Sequence, residues 1–423
     1  MAYRLILLIG NNPLPNYVVA KYFLETKREL YLYLISSEET KKYSEEIVKC
    51  LKSDISNKEN YNLYEKYICL EDCDDSKSIK NDIQKQLKDC FNDNDEINLN
   101  YTGGTKAMAV HVYATIKELF SNSNLDFSYI SARDNSLKYD LDESKNIPIS
   151  DKINVILETL IKLHGYEKGS EDRGNIYQAP LKEIKELIKN NYSKEYLHWV
   201  KDFIDKNYRN EKGFKLTKKD FDSFNDNYQK IENDHNDNLK NYHWLGNLLK
   251  EIPNDVSLIE NGELLNPYEL KNNSYVEKRL KNTLKFLNGI WLEDYVYEII
   301  NSQNKKADIQ KGSKIKKPLR LDDFELDVII VNSYITTLIS CTTDKTTHLC
   351  KLKGFEALHR VSEIGGDEGK VILITALDNE QRDKLQDDLN KIANLKEDKL
   401  LVLGIEDWEE KIIVDKINRF VFI

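Results

Sequence analysis

The stretch Asn98-Leu99-Asn100-Tyr101-Thr102-Gly103-Gly104-Thr105-Lys106-Ala107-Met108-Ala109 decides how the first third of the chain is read. Its apolar start reads as a strand and its end as the opening of a helix, with a glycine pair at the junction. Glycines there let backbone amides come close to a ligand, and a helix N-terminus offers unpaired N–H groups to phosphate. Thr102, Thr105 and Lys106 add two hydroxyls and a cation. A glycine pair alone would be an ordinary tight turn; the adjoining Thr-Lys favours an anion site. A Walker loop is disfavoured because GxxxxGK[ST] is absent, and a dinucleotide loop because the first turn lacks GxGxxG.

Around this run, apolar β-rich segments at 3–9, 30–35, 64–69, 97–100 and 126–131 alternate with helix-length segments at 17–25, 38–51, 77–91 and 105–120. That alternation predicts a mostly parallel, Rossmann-like sheet flanked by helices. The carboxyl ends of its strands form one crevice, which adds Asn11 and Asn12 after the first strand and Ser36 and Ser37 after the second. From about 152 to 285 the pattern turns helical and charged, with apolar spacing at 181–188, 196–203 and 244–252, so this stretch reads as a helical connector. Its Asn- and Asp-rich part, 225–238, reads as a loop or solvated helix end. Strands then return. A helix at 291–300 precedes a hairpin, 325–331 with 334–341, turning at Asn332-Ser333; next come a helix at 351–364, a strand at 370–375 and short strands at 399–404 and 419–423. The expected fold class is α/β, in three parts: 1–150, 151–283 and 284–423.

A chain of 423 residues exceeds what one core usually supports, in keeping with this division. The first apolar run, 5–9, is too short for a signal peptide or membrane span, which predicts a cytoplasmic protein with no membrane role. The six cysteines lack CxxC spacing and read as reduced. A net charge of −10 argues against indiscriminate coating of nucleic acid. It leaves room for a local basic track at Lys305, Lys306, Lys311, Lys314, Lys316, Lys317 and Arg320.

In the last third, Glu293 on a helix and Asp327 on a strand could both hold a hard divalent cation, Mg or Mn, able to activate water and neutralise charge on a phosphate. Period-two alternation puts Glu325 on the same face as Asp327. With 72 acidic residues such a pair can arise by chance, but the order helix, hairpin, helix, strand favours a site. His348 and His359 have no partner by spacing, and Cys341 on an apolar strand reads as a small core residue.

The run 98–109, taken with Gly10-Asn11-Asn12-Pro13, resembles the signature of CARF (CRISPR-associated Rossmann fold) domains of ancillary nucleases in type III CRISPR systems. The resemblance implies a homodimer whose crevices hold a cyclic oligoadenylate, cyclic tetra-adenylate in this branch. Lys106 would meet ligand phosphate, with Thr102, Gly103, Gly104 and Thr105 around it and Asn11, Asn12, Ser36 and Ser37 nearby. Residues 289–293 and 325–328 resemble the helix and strand of the PD-(D/E)xK nuclease domain that accompanies such sensors, a restriction-endonuclease-like fold. That resemblance implies a metal-dependent endonuclease with Glu293 and Asp327 as metal ligands; nucleic acid would be cleaved along the basic track, and single-stranded RNA or DNA is easier to admit there than rigid duplex. In that family the second hairpin strand carries an acidic or Ser residue, a spacer and a Lys. Here Ser340 and Cys341 are followed by Thr342, so Lys345 or Lys351 would supply the cation from a displaced position, and Asp344 could add a carboxylate. Two other readings stand beside the gated nuclease: a ligand-gated regulator with a decayed nuclease domain, and an enzyme using a nucleotide as cofactor.

Overall fold

The computed structural model describes residues 2–92, 94–121, 124–140, 142–169, 177–210, 213–214, 227–254, 256–260, 262–264, 274–304, 306–317, 323–396 and 398–422. Lys305 and Arg320 of the basic run, and residues 225 and 226, lie outside them.

Strands β1 (Tyr3–Leu8), β2 (Glu29–Ser36), β3 (Asn62–Cys69), β4 (Glu96–Asn100), β5 (Asn124–Ser131) and β6 (Ser136–Tyr139) form a sheet of order β3-β2-β1-β4-β5-β6. All its pairs are parallel except β5 with β6. Helices α1 (Leu14–Lys27), α2 (Lys41–Ile55), α3 (Ser76–Leu87) and α4 (Lys106–Leu119) alternate with the strands. A sheet covered on both faces needs strands apolar on both sides. Accordingly Leu5, Leu7 and Leu34 pack with α1 and α2, while Ile6, Leu8 and Ile35 pack with α3 and α4. The strand order reverses between β1 and β4, and that is where the Gly103-Gly104 turn emerges.

The connecting stretch is built from α5 (Leu157–Leu163), α6 (Gln178–Lys189), α7 (Ser193–Trp199), α8 (Tyr228–Asn241) and α9 (Leu245–Lys250). It also contributes strands: β7 (Glu167–Lys168), and two-residue hairpins β8 (Arg209–Asn210) with β9 (Gly213–Phe214) and β10 (Ile259–Glu260) with β11 (Glu263–Leu264). Of the two readings of the Asn/Asp-rich segment, loop or helix end, its described part from Tyr228 is helical, with Ile231 and His235 buried one turn apart.

His235 is fully buried, beside the Phe203 ring, with no hydrogen bond at either nitrogen. Burial lowers its pKa to about 4 from the usual 6.5. Between those values the unfolded chain binds a proton that the folded chain rejects, so stability is full above pH 6.5 and falls as the pH drops toward 4. Urea unfolding of wild type is therefore expected to show an acid-side slope over this window that His235→Phe reduces. Equal slopes would remove His235 as the cause.

After α10 (Ser274–Lys285) a wider π-type turn, Phe286–Ile290, leads into α11 (Trp291–Asn301). The second sheet has the order β16-β15-β14-β13-β12-β7: β12 (Asp308–Lys316), β13 (Phe324–Asn332), β14 (Ile335–Cys341), β15 (Lys370–Ile374) and β16 (Leu400–Leu403), with β7 on its edge. Helices α12 (Thr347–Gly365), α13 (Asn379–Ile392) and α14 (Glu410–Phe422) complete this part. The expected strand at 419–423 is instead the end of α14 through residue 422, whose buried Ile413, Val414, Ile417 and Val421 follow a helical period.

The basic run is also corrected. Lys311, Lys314 and Lys316 lie on β12, paired with β13 on one side and β7 on the other, so alternation sets Lys311 on the face opposite Lys314 and Lys316. Lys311 pairs with Asp294 at 2.6 Å, and the Lys317 side chain is buried against Glu363. Those two charges are already balanced within the protein.

The two sheets share an apolar core. Leu5, Leu7 and Leu14 are continuous with Leu157, Leu160 and Leu163 of α5 and on to Leu326, Leu338 and Val361. Backbone ties cross the same junction, with Val155 N–H donating to Ser333 O at 2.6 Å and Leu157 N–H to Asp308 Oδ2 at 2.8 Å.

Candidate functional site

The first candidate site is the crevice at the β1/β4 reversal. Asn16 Nδ2 donates to Leu8 O at 2.9 Å, fixing the loop after β1, and Gly103 lies against both groups. A Cβ at Gly103 would sit 2.2 Å from Leu8 O and 2.7 Å from Asn16 Oδ1. Gly104, at φ 78°, takes the left-handed conformation that glycine tolerates. The glycine pair therefore has two independent steric reasons. Gly103→Ala is expected to cost about 1–3 kcal/mol through overpacking, read as a lower urea midpoint. An unchanged midpoint would show that the turn can relax.

Of the predicted ligand residues, several build the turn. Thr102 Oγ1 donates to Asn100 Oδ1 and accepts from Ile130 N–H, both at 2.8 Å. Thr105 caps α4, its hydroxyl accepting from Met108 N–H at 3.1 Å. Ser36 is buried, and Ser37 Oγ is 3.1 Å from Thr40 Oγ1. Asn12 accepts from Leu14 N–H at 3.2 Å and packs against Gly366, beyond the end of α12. Asn11 and Lys106 stand exposed at the rim, with Lys106 the first residue of α4. The crevice is thus electropositive at its mouth: one ammonium beside the N-terminus of a 14-residue helix.

Tyr101 joins this region in a way the sequence does not announce. Its hydroxyl donates to Asp140 Oδ1 at 2.6 Å, and with Tyr129, Lys138 and Asp140 it lines a cavity of about 680 Å³. Burial and Asp140 raise its pKa.

The second candidate site lies where the β13–β14 hairpin opens. The ladder runs from Asn332↔Ile335 to Val328↔Ile339. One residue further, the Asp327 carboxylate takes the place of a backbone acceptor: Oδ2 receives Cys341 N–H at 2.8 Å and Ser340 Oγ at 3.2 Å. Asp327 is half-buried, and Glu325, two residues back, is exposed. Glu293 is half-buried in the first turn of α11, which packs across β13 and β14. The start of α11 is tied to the loop after β14, because Thr343 Oγ1 donates to Asn288 O at 2.8 Å. Asp344 is spent inside that loop, accepting from Thr346 N–H at 2.6 Å.

A cavity of about 430 Å³ opens beside this loop. Thr342, Asp344, Lys345 and Lys353 line one side, and Lys201 and Arg209 of the connecting stretch line the other. Burial, then the like charges of Lys201 and Lys194, push the Lys345 ammonium pKa down against the opposing pull of Glu195. Lys351, expected to reach the site, instead pairs with Asp388 of α13 at 2.9 Å, because its helical position turns it to that neighbour. His348 and His359 are exposed, and Cys341 is buried, as read from sequence.

Asp327 and Glu293 offer carboxylate oxygens, the donors a hard divalent cation prefers. Among the described residues no group of three or more His, Cys, Asp or Glu could hold a metal ion. An ion of the magnesium type is commonly held by one or two carboxylates and keeps water or substrate phosphate on its other positions.

Residues 5–156 match the family described as the Card1 CARF domain, a span that takes in β1–β6 and the glycine turn. The first sheet is thus a CARF-like Rossmann unit. Over its whole length the chain is similar in fold to two solved structures. One is protein VC1899 from Vibrio cholerae, with TM-score 0.65 and 13% identity over 99% of this chain and 97% of that one. The other is Can2 from Sulfobacillus thermosulfidooxidans in complex with cyclic tetra-adenylate, with TM-score 0.61 and 14% identity over 98% and 99%. No curated protein matches the sequence. No helix among the described residues is long and apolar enough to cross a membrane.

Proposed function

We propose that the chain is a cyclic-oligoadenylate-activated, metal-dependent nuclease of type III CRISPR defence, cleaving single-stranded RNA or DNA as a homodimer. The observation that carries this reading is the Card1-type CARF match over residues 5–156, with its glycine turn and Lys106 at the strand-order reversal. The Can2 likeness adds that a protein of similar whole-chain fold binds cyclic tetra-adenylate. In the sensor, Lys106 and the α4 N-terminus hold ligand phosphate, and Asn11 contacts the ligand at the rim. Ligand favours the active arrangement only as far as it binds that arrangement more tightly than the resting one.

In the effector, Asp327 and Glu293 would hold Mg or Mn, which would supply Lewis-acid activation of water and charge neutralisation at phosphate. Hydrolysis adds the water oxygen to phosphorus with loss of a proton, and breaks the bond to the leaving sugar oxygen, which takes up a proton to become a hydroxyl. The protein's part is to orient Asp327 through Ser340 and Cys341, and to place cations at the cavity beside Thr342. Incubating the protein with labelled single-stranded RNA and DNA, Mg or Mn, and cyclic tetra- or hexa-adenylate tests the reading directly. Cleavage only with a cyclic ligand and metal supports it; cleavage indifferent to every cyclic oligoadenylate overturns the gating.

A second reading is favoured by Thr342 at the strand position where a lysine is expected. Here the sensor is intact and the effector binds nucleic acid without cutting it. Ligand binding with no cleavage across metals and substrates would establish that reading.

A further inference from the structure

Thr342 leaves the hairpin without a cation on the strand, yet the cavity beside it holds one that neither strand nor loop supplies. Lys353 lies on α12, and its ammonium donates to Cys341 O at 3.3 Å. Cys341 N–H is the group that anchors Asp327 Oδ2 at 2.8 Å. Within an extended strand the N–H and C=O of one residue point to the same side. The Lys353 ammonium and the Asp327 carboxylate therefore meet the same edge of β14, joined through one residue.

An ammonium has three donors, so the single bond to Cys341 O leaves two for a ligand. The Lys353 side chain is exposed, lines the 430 Å³ cavity with Thr342, and makes no ion pair among the described residues. The other lysines fit the role less well. Lys351, half a turn away on the same helix, is held by Asp388. Lys345 has Lys201, Lys194 and Glu195 as its charged neighbours, all on the connecting stretch.

We propose that Lys353 is the cation that faces the substrate phosphate beside Asp327, a role moved from position 342, just past the end of β14, to helix α12. This rests on the nuclease reading above and deepens it. The side chain acts as a fixed positive charge and hydrogen-bond donor to phosphate oxygen. It takes up no proton and forms no covalent bond.

The test uses the full chain with cyclic tetra-adenylate, Mg or Mn, and a labelled single-stranded oligonucleotide. It compares Lys353→Ala, Lys353→Arg, Lys351→Ala and the double variant Lys353→Ala with Thr342→Lys. Lys353→Ala is expected to slow single-turnover cleavage roughly 10²–10³-fold, the range for losing one positioned donor to developing charge. Lys353→Arg should keep more of the rate, Lys351→Ala should stay near wild type, and Thr342→Lys should recover at least about tenfold in the Lys353→Ala background. In metal-free binding titrations, Lys353→Ala should lower the slope of log affinity against log salt by about 0.7, the value for one phosphate contact to a single strand; Lys351→Ala should not.

A Lys353→Ala variant that cleaves within about threefold of wild type, with an unchanged salt slope, overturns the proposal while leaving the nuclease reading intact. So does a loss that accompanies a lower melting temperature and is rescued by neither Arg nor Thr342→Lys, because that marks a packing role. A wild type that binds the strand and never cuts it overturns the nuclease reading and the catalytic role together, and the salt slope then decides whether Lys353 touches phosphate at all.

Discussion

Asp327→Asn is expected to abolish activated cleavage, lowering the rate at least about 10³-fold at saturating metal, because a neutral amide is a poor ligand for a hard cation and charge neutralisation at phosphate is lost. The substitution is close to a clean probe. The amide oxygen can still accept Cys341 N–H and Ser340 Oγ, so the hairpin keeps the geometry it has with the carboxylate. Binding of cyclic oligoadenylate should be unchanged, since the sensor crevice is formed by other strands. A single-turnover rate near wild type in Mg or Mn would remove Asp327 from the metal site. Weakened ligand binding together with a lower melting temperature would make its role structural.

Lys106→Ala should weaken cyclic oligoadenylate binding by about 10- to 150-fold, the loss of one charge-assisted hydrogen bond worth about 1.5–3 kcal/mol. The fold should survive, because Lys106 is exposed and Thr105 continues to cap α4. Calorimetry measures the effect directly. Unchanged affinity would leave the helix N-terminus as the source of the anion site, and loss of the dimer would reassign Lys106 to assembly. At saturating ligand the variant should cleave at the wild-type rate, which separates a binding defect from a defect in the effector.

The parts readable from sequence were those where local pattern and tertiary environment agree. The run 98–109 declares itself because a buried strand, two glycines and a capped helix follow one another within twelve residues. The β13–β14 hairpin is legible because buried residues dominate both strands around a turn with Ser333 at φ 60°. Strand β12 is not, since its lysines hide a strand whose burial depends on neighbours far along the chain. The last residues mislead for a different reason: Phe420, Val421 and Phe422 are too short a window to separate a period of two from 3.6, which takes Ile413, Val414 and Ile417 as well.

The candidate sites divide in the same way. Residue types and order point to Lys106, Glu293 and Asp327, but how far each hydroxyl is occupied by its own turn is a tertiary fact. Thr102, Thr105 and Ser37 look like ligand contacts in sequence, whereas much of their hydrogen bonding is spent on the scaffold. Lys353 was invisible for a related reason. Its place at the cavity depends on the rotation of α12, which sends Lys351 to α13 and Lys353 to Cys341.

The apolar core that runs without a break from β1 through α5 into β13 and α12 bears on how the protein melts. Two units that bury side chains against each other cannot lose one without exposing the other's interior, so a single cooperative transition is the expected result of a thermal melt. Whatever occupies the crevice of the first sheet then stabilises the second as well, by about 2.7 kcal/mol at a hundredfold excess of ligand over its dissociation constant. The second sheet would owe part of its resistance to heat to a ligand it never touches.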